Sequence, residues 1–298
     1  MVSFSRLISY LSCHCVEYKT NSKTADITTV KTGGTAKLII YPSSLKEFVS
    51  IVRRIDTKFA IIGNGSNSMF CDNVFDGVIV VTKKLNKIDV KNNELIAECG
   101  ASIPKCCRFA LEKSLCGLEF AYGIPGTVGG AIYMNASAFG TDFEKIVFES
   151  TVYDKNSDRI FTISNYEHEF STKMSVFQRK NWYILQSKLL LGADIQESIR
   201  NKMESYINYR AEHQPLDMPS SGSTFKRPKN GYASELIDKA GLKGYKIGGA
   251  SVSSKHAGFI INEGNATSND VLRLIDYIKA EVDKRFNIKL EEEIIYFD

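Results

Sequence analysis

Glycines occur in three clusters, and each cluster lies next to a stretch whose apolar residues predict a strand. The clusters are Gly33–Gly34, Gly63–Asn67 and Tyr122–Gly140. Glycine lets backbone N–H groups come close to a phosphate, and the side chains of Ser66 and Asn67 add hydrogen-bond donors. This pattern favours the binding of one extended dinucleotide by several loops, rather than by one helix as in a Rossmann protein.

Both longer clusters also have a purely structural interpretation. Gly63–Asn67 has the residues of an ordinary turn, and it does not match the Rossmann G-x-G-x-x-G motif, because residue 68 is Ser. Tyr122–Gly140 makes a poor helix and a poor strand, because glycine disfavours both. Composition alone leaves two hypotheses open for that stretch, a cofactor loop and a tight crossover packed against a sheet.

Ser223 is the first candidate for proton chemistry. It lies in a loop rich in hydroxyl groups, residues 219–228, and a serine held on a rigid turn can deliver a proton to a reacting atom. A G-x-S-x-G nucleophile elbow is excluded, because Ser221 occupies the position of its first glycine. The structural alternative is a turn in which the hydroxyl caps the next segment.

Glu293 is the second candidate. It belongs to the C-terminal stretch KLEEEIIYF, whose alternation predicts a strand with Glu291 and Glu293 on one face. Burial of that face would raise the pKa of a carboxyl group. A solvated, negatively charged strand edge is the alternative.

The histidines and cysteines predict no metal site. The histidines lack the H-x-x-x-H and H-E-x-x-H spacings, and the seven cysteines lack a second pair at ligand spacing. An odd number of cysteines favours reduced thiols, and the N-terminal residues do not read as a secretion signal. We therefore expect a cytoplasmic protein, and the lack of a long apolar run predicts no membrane insertion.

The elements that must position these residues alternate along the first half of the chain. Phe4, Leu7, Ile8 and Leu11 have the spacing of a short amphipathic helix at the N-terminus. The predicted strands are 36–41, 59–62, 77–82, 94–99, 146–153 and 182–191, with the C-terminal stretch as a last strand. The predicted helices are 43–55, 104–115, 194–209, 232–240 and 269–286. This order predicts an α+β protein with mixed sheets and more than one domain.

The composition is that of an ordinary globular protein. The chain has 298 residues, of which 43% are hydrophobic and 24% charged, and its net charge is +4. Such a small positive charge, without a basic run, argues against a nucleic-acid partner.

Several segments, in order along the chain, closely resemble the UDP-N-acetylenolpyruvoylglucosamine reductase (MurB) family in its shorter form. The segments are TTVKTGGTA (28–36), IIGNGSNSMFCD (61–72), GLEFAYGIPGTVGGAIYMNASAFG (117–140), RAEHQPLDMPSSGSTFKRP (210–228), AGLKGYKIGGASVSSKHAGFIINEGNATSNDV (240–271) and LEEE (290–293). The resemblance implies an FAD-binding domain of the vanillyl-alcohol-oxidase/PCMH type, which is not a Rossmann fold, and a C-terminal α+β substrate domain. The implied bounds are 1–22 for an N-terminal helical segment, 23–193 for the FAD-binding domain with subdomains of about 23–90 and 91–193, and 194–298 for the substrate-binding domain.

The resemblance also implies the reaction. It is the NADPH-dependent, FAD-mediated reduction of UDP-N-acetylglucosamine enolpyruvate to UDP-N-acetylmuramate in peptidoglycan biosynthesis, carried out by a monomer. Negative charge develops next to a carboxylate, so the site needs a cation and an acid group. The matched positions imply that Ser223 is the proton donor, Glu293 its acidic partner and Lys173 the cation.

Two further groups of site residues are implied by the matched segments. Those implied to bind FAD are Gly33, Gly34, Gly63, Asn64, Gly65, Ser66, Asn67, Gly123, Ile124, Pro125, Gly126, Thr127, Gly129, Gly130, Asn135 and Ala136. Those implied to contact the substrate are Gln214, Lys226, His256 and Asn265.

One matched position departs from the family pattern F-x-Y-R-x-S-x-F. Residues 170–177 keep the phenylalanines and the serine, but Lys173 replaces the usual arginine. Lysine keeps the positive charge and loses the planar fork that grips a carboxylate. We expect a working enzyme with an altered electrostatic clamp. The alternative is a weakly active or silent paralogue that binds FAD or a UDP-sugar in a regulatory role.

Overall fold

The computed structural model describes residues 4–229 and 231–298 and divides into two compact units that interleave along the chain. Unit 1 comprises the residues up to Lys19 together with Ile39–Asn64 and Val78–Asn208, and unit 2 comprises Thr20–Leu38, Gly65–Gly77 and Tyr209–Asp298. The consecutive domain boundaries that the resemblance implied divide the chain differently, and they remain a prediction. Residues 1–3 of the implied N-terminal segment lie outside the described residues.

Each predicted helix and strand has a counterpart in the structure, which adds one short helix in the glycine-rich stretch and several further strands. The α-helices are α1 (Phe4–Cys13), α2 (Leu45–Arg54), α3 (Ile103–Glu112), α4 (Val128–Tyr133), α5 (Gln196–His213), α6 (Ala233–Lys239) and α7 (Ser268–Phe286). The strands are β1 (Glu17–Lys23), β2 (Thr35–Tyr41), β3 (Phe59–Ile62), β4 (Ser68–Phe70), β5 (Phe75–Val81), β6 (Ile88–Lys91), β7 (Glu94–Glu98), β8 (Leu115–Cys116), β9 (Ser137–Ala138), β10 (Thr141–Asp142), β11 (Val147–Asp154), β12 (Arg159–Ser164), β13 (Trp182–Leu190), β14 (Gly192–Ala193), β15 (Ser220–Ser223), β16 (Lys246–Ile247), β17 (Ala250–Val252), β18 (Phe259–Asn262) and β19 (Ile295–Phe297).

Unit 1 contains a five-stranded antiparallel sheet in the order β12-β11-β13-β7-β6. The register pairs Val152 with both Phe161 and Ile184, and Val152 is fully buried. Helices α3 and α4 contact β7 of this sheet. The sheet therefore supports the glycine-rich stretch, which runs into α4.

A second sheet has the order β1-β2-β5-β3, and the division between the units falls within β1, β2 and β5. In unit 1, β3 pairs with β5 in parallel, with Ile62 opposite Val81. Helix α2 begins after Ser44, whose side chain accepts a hydrogen bond from the N–H of Glu47. Strand β3 ends at Ile62, so the register of this sheet fixes where the turn at Gly63 begins.

Unit 2 has its own sheet and core. Strands β15-β18-β17-β16 form an antiparallel sheet, and α7 contacts β16, β17 and α6. The core includes Ile237, Leu274 and Ile278, of which Leu274 and Ile278 recur at helical spacing along α7. Thr267 and Asp270 form a capping box at the start of α7. Two long-range partners, β4 and β19, pair in parallel in the same unit.

Two local predictions were wrong. Glycine-rich residues 128–133 were predicted to be neither helix nor strand, but they form α4. Thr127 caps this helix, and Cys99 packs closely against its Gly129. The C-terminal strand was predicted over the whole of KLEEEIIYF, but β19 begins only at Ile295. Before it, Glu292 makes a single antiparallel bridge to Phe225. Among the described helices, none combines the length and apolar character that a membrane crossing requires.

The cysteines differ sharply in exposure, and this leads to a first prediction. Cys13 and Cys15 are exposed, whereas burial raises the pKa of Cys99 and of Cys106 to about 12. Because the thiolate is the reactive form, we expect a thiol reagent to label Cys13 and Cys15 rapidly in the folded protein. Cys99 and Cys106 should react only after unfolding. Timed labelling followed by peptide mass spectrometry measures this, and rapid labelling of Cys106 would contradict it.

Candidate functional site

In unit 1, the end of β3 meets the glycine-rich stretch. The side-chain amide of Asn64 donates a hydrogen bond of 2.5 Å to the carbonyl oxygen of Pro125. A Cβ atom on Gly63 would overlap Oγ1 of Thr127, so only glycine fits where the two loops touch. The structure thus brings together the parts of two predicted cofactor loops that belong to this unit.

Thr127 also starts α4 on a tightly packed surface. Its Oγ1 accepts a hydrogen bond of 3.4 Å from the N–H of Gly130, and the N–H of Gly129 bonds to the carbonyl of Cys99 at 2.8 Å. A Cβ atom on Gly129 would lie 2.9 Å from Cβ of Cys99. These N–H groups are already paired within the protein. The part of the glycine-rich stretch that remains accessible to a ligand is therefore the loop Gly123–Gly126, which is partly exposed.

Lys173 lies in the same unit, in a two-residue turn. Backbone hydrogen bonds of 3.1 and 3.2 Å join Ser171 and Met174 in both directions across it. Lys173 has a φ of 59° and a half-buried side chain. Unit 1 therefore carries both the glycine-rich loop and the predicted cation.

A buried histidine, to which the sequence assigned no chemistry, precedes this turn. His168 is fully buried, with Nδ1 2.8 Å from the carbonyl oxygen of Ser164 and Nε2 2.8 Å from Oγ of Ser150. Since a carbonyl only accepts, Nδ1 carries the proton and Nε2 accepts from the serine. The ring stacks on Phe170 and meets Phe177 edge to face, and these two residues flank the Lys173 turn.

This histidine gives a prediction about pH. Burial lowers the pKa of His168 below its ordinary value of 6.5, so the folded protein keeps the ring neutral while the unfolded chain protonates it. The unfolded state then binds more protons, and the free energy of unfolding should fall as the pH drops below about 6.5. Urea unfolding at about pH 8 and about pH 5.5 measures the change.

The matched control for this prediction is an exposed histidine. In His168→Gln the decline in stability with falling pH should be shallower than in the wild type, and the part due to His256, whose pKa burial also lowers, should remain. In His14→Gln, which changes an exposed ring, the pH dependence should stay that of the wild type. Equal pH dependence in the wild type and His168→Gln would show that other groups cause the decline.

In unit 2, the other glycines of the predicted cofactor loops pack against the chain itself. A Cβ atom on Gly34 would overlap the carbonyl oxygen of Asp72, and one on Gly65 would overlap that of Ile27. Gly33 and Gly65 also have positive φ angles, of 107° and 67°. These contacts explain the glycines by packing within the protein, and cofactor contact at these positions stays a prediction.

The same unit brings the segments of Ser223 and Glu293 together. The N–H of Glu293 donates a hydrogen bond of 2.8 Å to the carbonyl oxygen of Thr224, the residue after Ser223. The side-chain amide of Asn67 donates to the carbonyl of Glu293 at 2.9 Å. Ser223 is exposed at the end of β15, after Gly222 with a φ of 75°. Three positions separated widely in sequence thus meet through the backbone next to an accessible hydroxyl.

Three buried polar atoms in unit 2 have no hydrogen-bond partner within residues 4–229 and 231–298: Nε of Arg210, Oε1 of Gln214 and Oγ of Ser221. Burial lowers the pKa of Arg210 from its ordinary value of 12.5. A polar atom left unpaired in a protein interior is costly and points to a missing ligand or water. Gln214 was predicted from the resemblance, whereas Arg210 and Ser221 were missed.

Helical spacing could have found Arg210. It lies four residues before Gln214, and the N–H of Gln214 bonds to the carbonyl of Arg210 at 2.8 Å at the end of α5. Residues four apart lie on one face of a helix, so a predicted contact at Gln214 extends to Arg210. No comparable signal marks Ser221, because its burial depends on the sheet around it.

The other predicted substrate residues lie in several places within unit 2. Lys226 forms an ion pair of 3.4 Å with Glu291, next to the backbone that holds Glu293. His256 packs edge to face on Phe259, the residue opposite Ser223 in the sheet, and burial lowers its pKa. Both are therefore near the Ser223 segment. Asn265 is exposed, and its side-chain oxygen lies against Gly249 instead.

Comparison with known proteins identifies the two halves of the chain separately. Residues 36–162 match the model of an FAD binding domain, and residues 214–297 match that of the UDP-N-acetylenolpyruvoylglucosamine reductase C-terminal domain. The UDP-N-acetylenolpyruvoylglucosamine reductase of Caldanaerobacter subterraneus subsp. tengcongensis is 45% identical over 90% of this chain and 89% of its own length. The enzyme of the same name from Thermotoga maritima is 38% identical over 95% of each chain.

The chain belongs to the UDP-N-acetylenolpyruvoylglucosamine reductase family. Its fold resembles the crystal structure of the Thermus caldophilus reductase, with a TM-score of 0.82 and 27% identity over 95% of this chain and 99% of that one. The predicted α+β fold with a non-Rossmann FAD-binding domain is confirmed. So are the predictions of an FAD-dependent oxidoreductase and of the NADPH-dependent reduction in peptidoglycan synthesis. Nothing in these relatives supports the alternative of a silent paralogue.

Proposed function

We propose that this chain reduces UDP-N-acetylglucosamine enolpyruvate to UDP-N-acetylmuramate with Ser223 as proton donor and Glu293 as its acidic partner. The observation that carries the proposal is the 2.8 Å backbone hydrogen bond between Glu293 and Thr224, which holds the glutamate beside the serine segment. FAD, when bound, carries the hydride from NADPH to the enolpyruvyl double bond. The protein then has to add one proton to the adjacent carbon of the substrate.

Ser223 is suited to that step by its position. It ends β15 and is exposed, so its Oγ–H is open to a ligand while its backbone is paired with Phe259. A hydroxyl gives up a proton when negative charge has built up on the accepting carbon, and a fixed backbone removes the cost of orienting it. Glu293 is half-buried, and a carboxyl group there can return a proton to the serine.

The residues fit FAD in unit 1. The loop Gly123–Gly126 is partly exposed, and the hydrogen bond from the side-chain amide of Asn64 to the carbonyl oxygen of Pro125 holds it in place. We assign this loop to the flavin nucleotide, because a rigid backbone with little side-chain bulk lets a planar or phosphate-bearing group come close.

The unpaired buried atoms of unit 2 fit an anionic or polar ligand group. Arg210 supplies a guanidinium N–H, Gln214 a carbonyl oxygen and Ser221 a hydroxyl, and none of the three atoms has a partner in the described part of the chain. A partly buried guanidinium binds phosphate or carboxylate strongly when water is excluded. We assign these three side chains to the nucleotide-bearing ligands.

Lys173 serves as the cation for the negative charge that develops on the substrate. Backbone hydrogen bonds fix its turn, so the backbone that carries the ammonium group has a defined position.

We further propose that the enzyme acts as a monomer in the cytoplasm. The free thiols of the exposed Cys13 and Cys15 support a reducing compartment.

The test combines a spectrum with a substrate comparison. The purified protein should show flavin absorbance, and it should oxidise NADPH when UDP-N-acetylglucosamine enolpyruvate is added. UDP-N-acetylglucosamine, which lacks the enolpyruvyl group, is the matched control and should cause no oxidation above background. A colourless protein after gentle purification, or equal NADPH oxidation with both sugars, would exclude the proposed function.

A further inference from the structure

The Lys173 turn has an unfavourable backbone that something must hold. Lys173 adopts a left-handed conformation with a φ of 59°. A Cβ atom disfavours that conformation, which glycine and asparagine adopt more readily than lysine does. Two backbone bonds between Ser171 and Met174 close the turn itself. Surrounding contacts must therefore select this conformation.

Gln178 makes the most specific of those contacts. Its Nε2 donates hydrogen bonds of 3.0 Å to the carbonyl oxygen of Lys173 and 3.0 Å to that of Tyr133, and it lies 3.7 Å from the sulfur of Met134. Both acceptors are carbonyls, so the amide can be oriented only with its NH₂ group toward them. One side chain thereby connects the Lys173 residue to the C-terminal end of α4.

Two more side chains connect the same two segments. Nδ2 of Asn135 donates to the carbonyl of Ser171 at 3.1 Å, and Oγ of Ser175 donates to that of Tyr133 at 2.8 Å. Asn135 is 4% exposed, and its Oδ1 accepts from the N–H of Glu144 at 3.0 Å. Both the nitrogen and the oxygen of its side-chain amide are therefore hydrogen-bonded within the protein. We call Asn135, Ser175 and Gln178 the turn clamp.

We propose that Gln178, as the centre of the turn clamp, is a positioning residue that fixes Lys173 relative to α4. This rests on the proposed function, in which α4 follows the flavin loop and Lys173 is the cation. The clamp bonds the turn at Ser171, at Lys173 and at Ser175, all to residues 133–135. Because α4 begins at the glycine-rich loop, the cofactor segment and the cation then form one rigid piece. Pre-organisation of this kind raises the rate without adding a contact to the substrate.

The first test is a double-mutant cycle. Gln178→Leu removes the donor at nearly constant size, and we expect kcat/KM to fall about 10- to 100-fold, because a displaced catalytic group costs that much. In a Lys173→Met background the same change should cost less than about twofold, because the residue it positions is already gone. Equal losses in both backgrounds would overturn the proposal. Gln178→Met has a similar length with neither the donor nor a charge and gives the same test should the leucine variant fail to fold.

The second test does not depend on activity. Gln178→Leu should speed hydrogen exchange at the amide of Met174, which closes the turn, without changing exchange in β11 and β13. Gln196→Leu is the control, because the side-chain amide of Gln196 likewise donates a hydrogen bond to a carbonyl oxygen in unit 1, that of Glu112 at 3.2 Å. Unchanged exchange at Met174 would refute the clamp. A clear exchange response in a protein that never oxidises NADPH with the enolpyruvyl sugar would refute the proposed function and leave the clamp standing.

Discussion

Ser223→Ala should lower the rate of sugar reduction by about 10²- to 10⁴-fold, the usual range for loss of a general acid. The rate at which NADPH bleaches the flavin absorbance should stay within about twofold, because no proton passes to the substrate in that half of the reaction. Stopped-flow absorbance separates the two rates. The contrast between them is the expected signature of a proton donor.

The structure makes this substitution clean. Ser223 is exposed, and the backbone bonds that Thr224 makes to Glu293 and Lys226 makes to Glu291 do not depend on the side chain that follows Gly222. A loss of stability is therefore not expected, and the melting temperature should stay near that of the wild type. Ser254→Ala, another exposed serine in unit 2, is the control and should leave both rates unchanged. Equal loss of the two rates in Ser223→Ala would mean that the serine supports binding or folding instead of proton transfer.

The sequence predicted most of the framework because local chemistry determined it. The predicted helix 43–55 matches α2 within two residues at each end, and the predicted helix 269–286 matches α7 within one residue. These features depend on neighbours a few residues away. The C-terminal stretch was different. Its alternation predicted a full strand, but only Ile295–Phe297 pair with β4. Which residues pair depends on a partner more than 200 positions earlier, and alternation carries no information about it.

The glycines show the same limit more clearly. Their density suggested close approach to a ligand, and in the structure several of them are required by the chain itself. Gly63 is pressed against Thr127, Gly65 against Ile27, and Gly129 against Cys99. Packing and ligand binding are not exclusive, because a loop that packs tightly against the protein on one side can present a rigid surface to a ligand on the other side. Sequence alone could not separate the two causes, since both require a missing side chain.

The candidate site was predicted in part. Ser223, Glu293 and Gln214 were implied by the resemblance, and unit 2 holds all three. Arg210 was missed although its spacing to Gln214 predicted a shared helix face. The turn clamp could not have been predicted, because three carbonyl acceptors at Tyr133, Ser171 and Lys173 leave no trace in a sequence of side chains.

Lys173→Met should lower kcat/KM about 10²- to 10³-fold, as expected for removal of a group that stabilises developing negative charge. Methionine has a similar length and no charge, so packing of the half-buried stem is kept. The turn should survive, since the clamp bonds the backbone carbonyl of Lys173 and not its side chain. Lys180→Met removes an equal charge from an exposed lysine in the same unit and should cost less than about twofold. Steady-state kinetics on the three proteins measures the difference.

Lys173→Arg separates charge from shape. Arginine is unbranched at Cβ, as lysine is, so it adds no strain at a φ of 59°. It keeps the charge and restores the planar fork that binds a carboxylate through two parallel hydrogen bonds. We therefore expect activity at least equal to that of the wild type, with KM for the enolpyruvyl sugar lowered rather than kcat raised. If Lys173→Arg were as inactive as Lys173→Met, a positive charge alone would not explain the role of this residue. The length and hydration of the lysine ammonium would then be what the site requires.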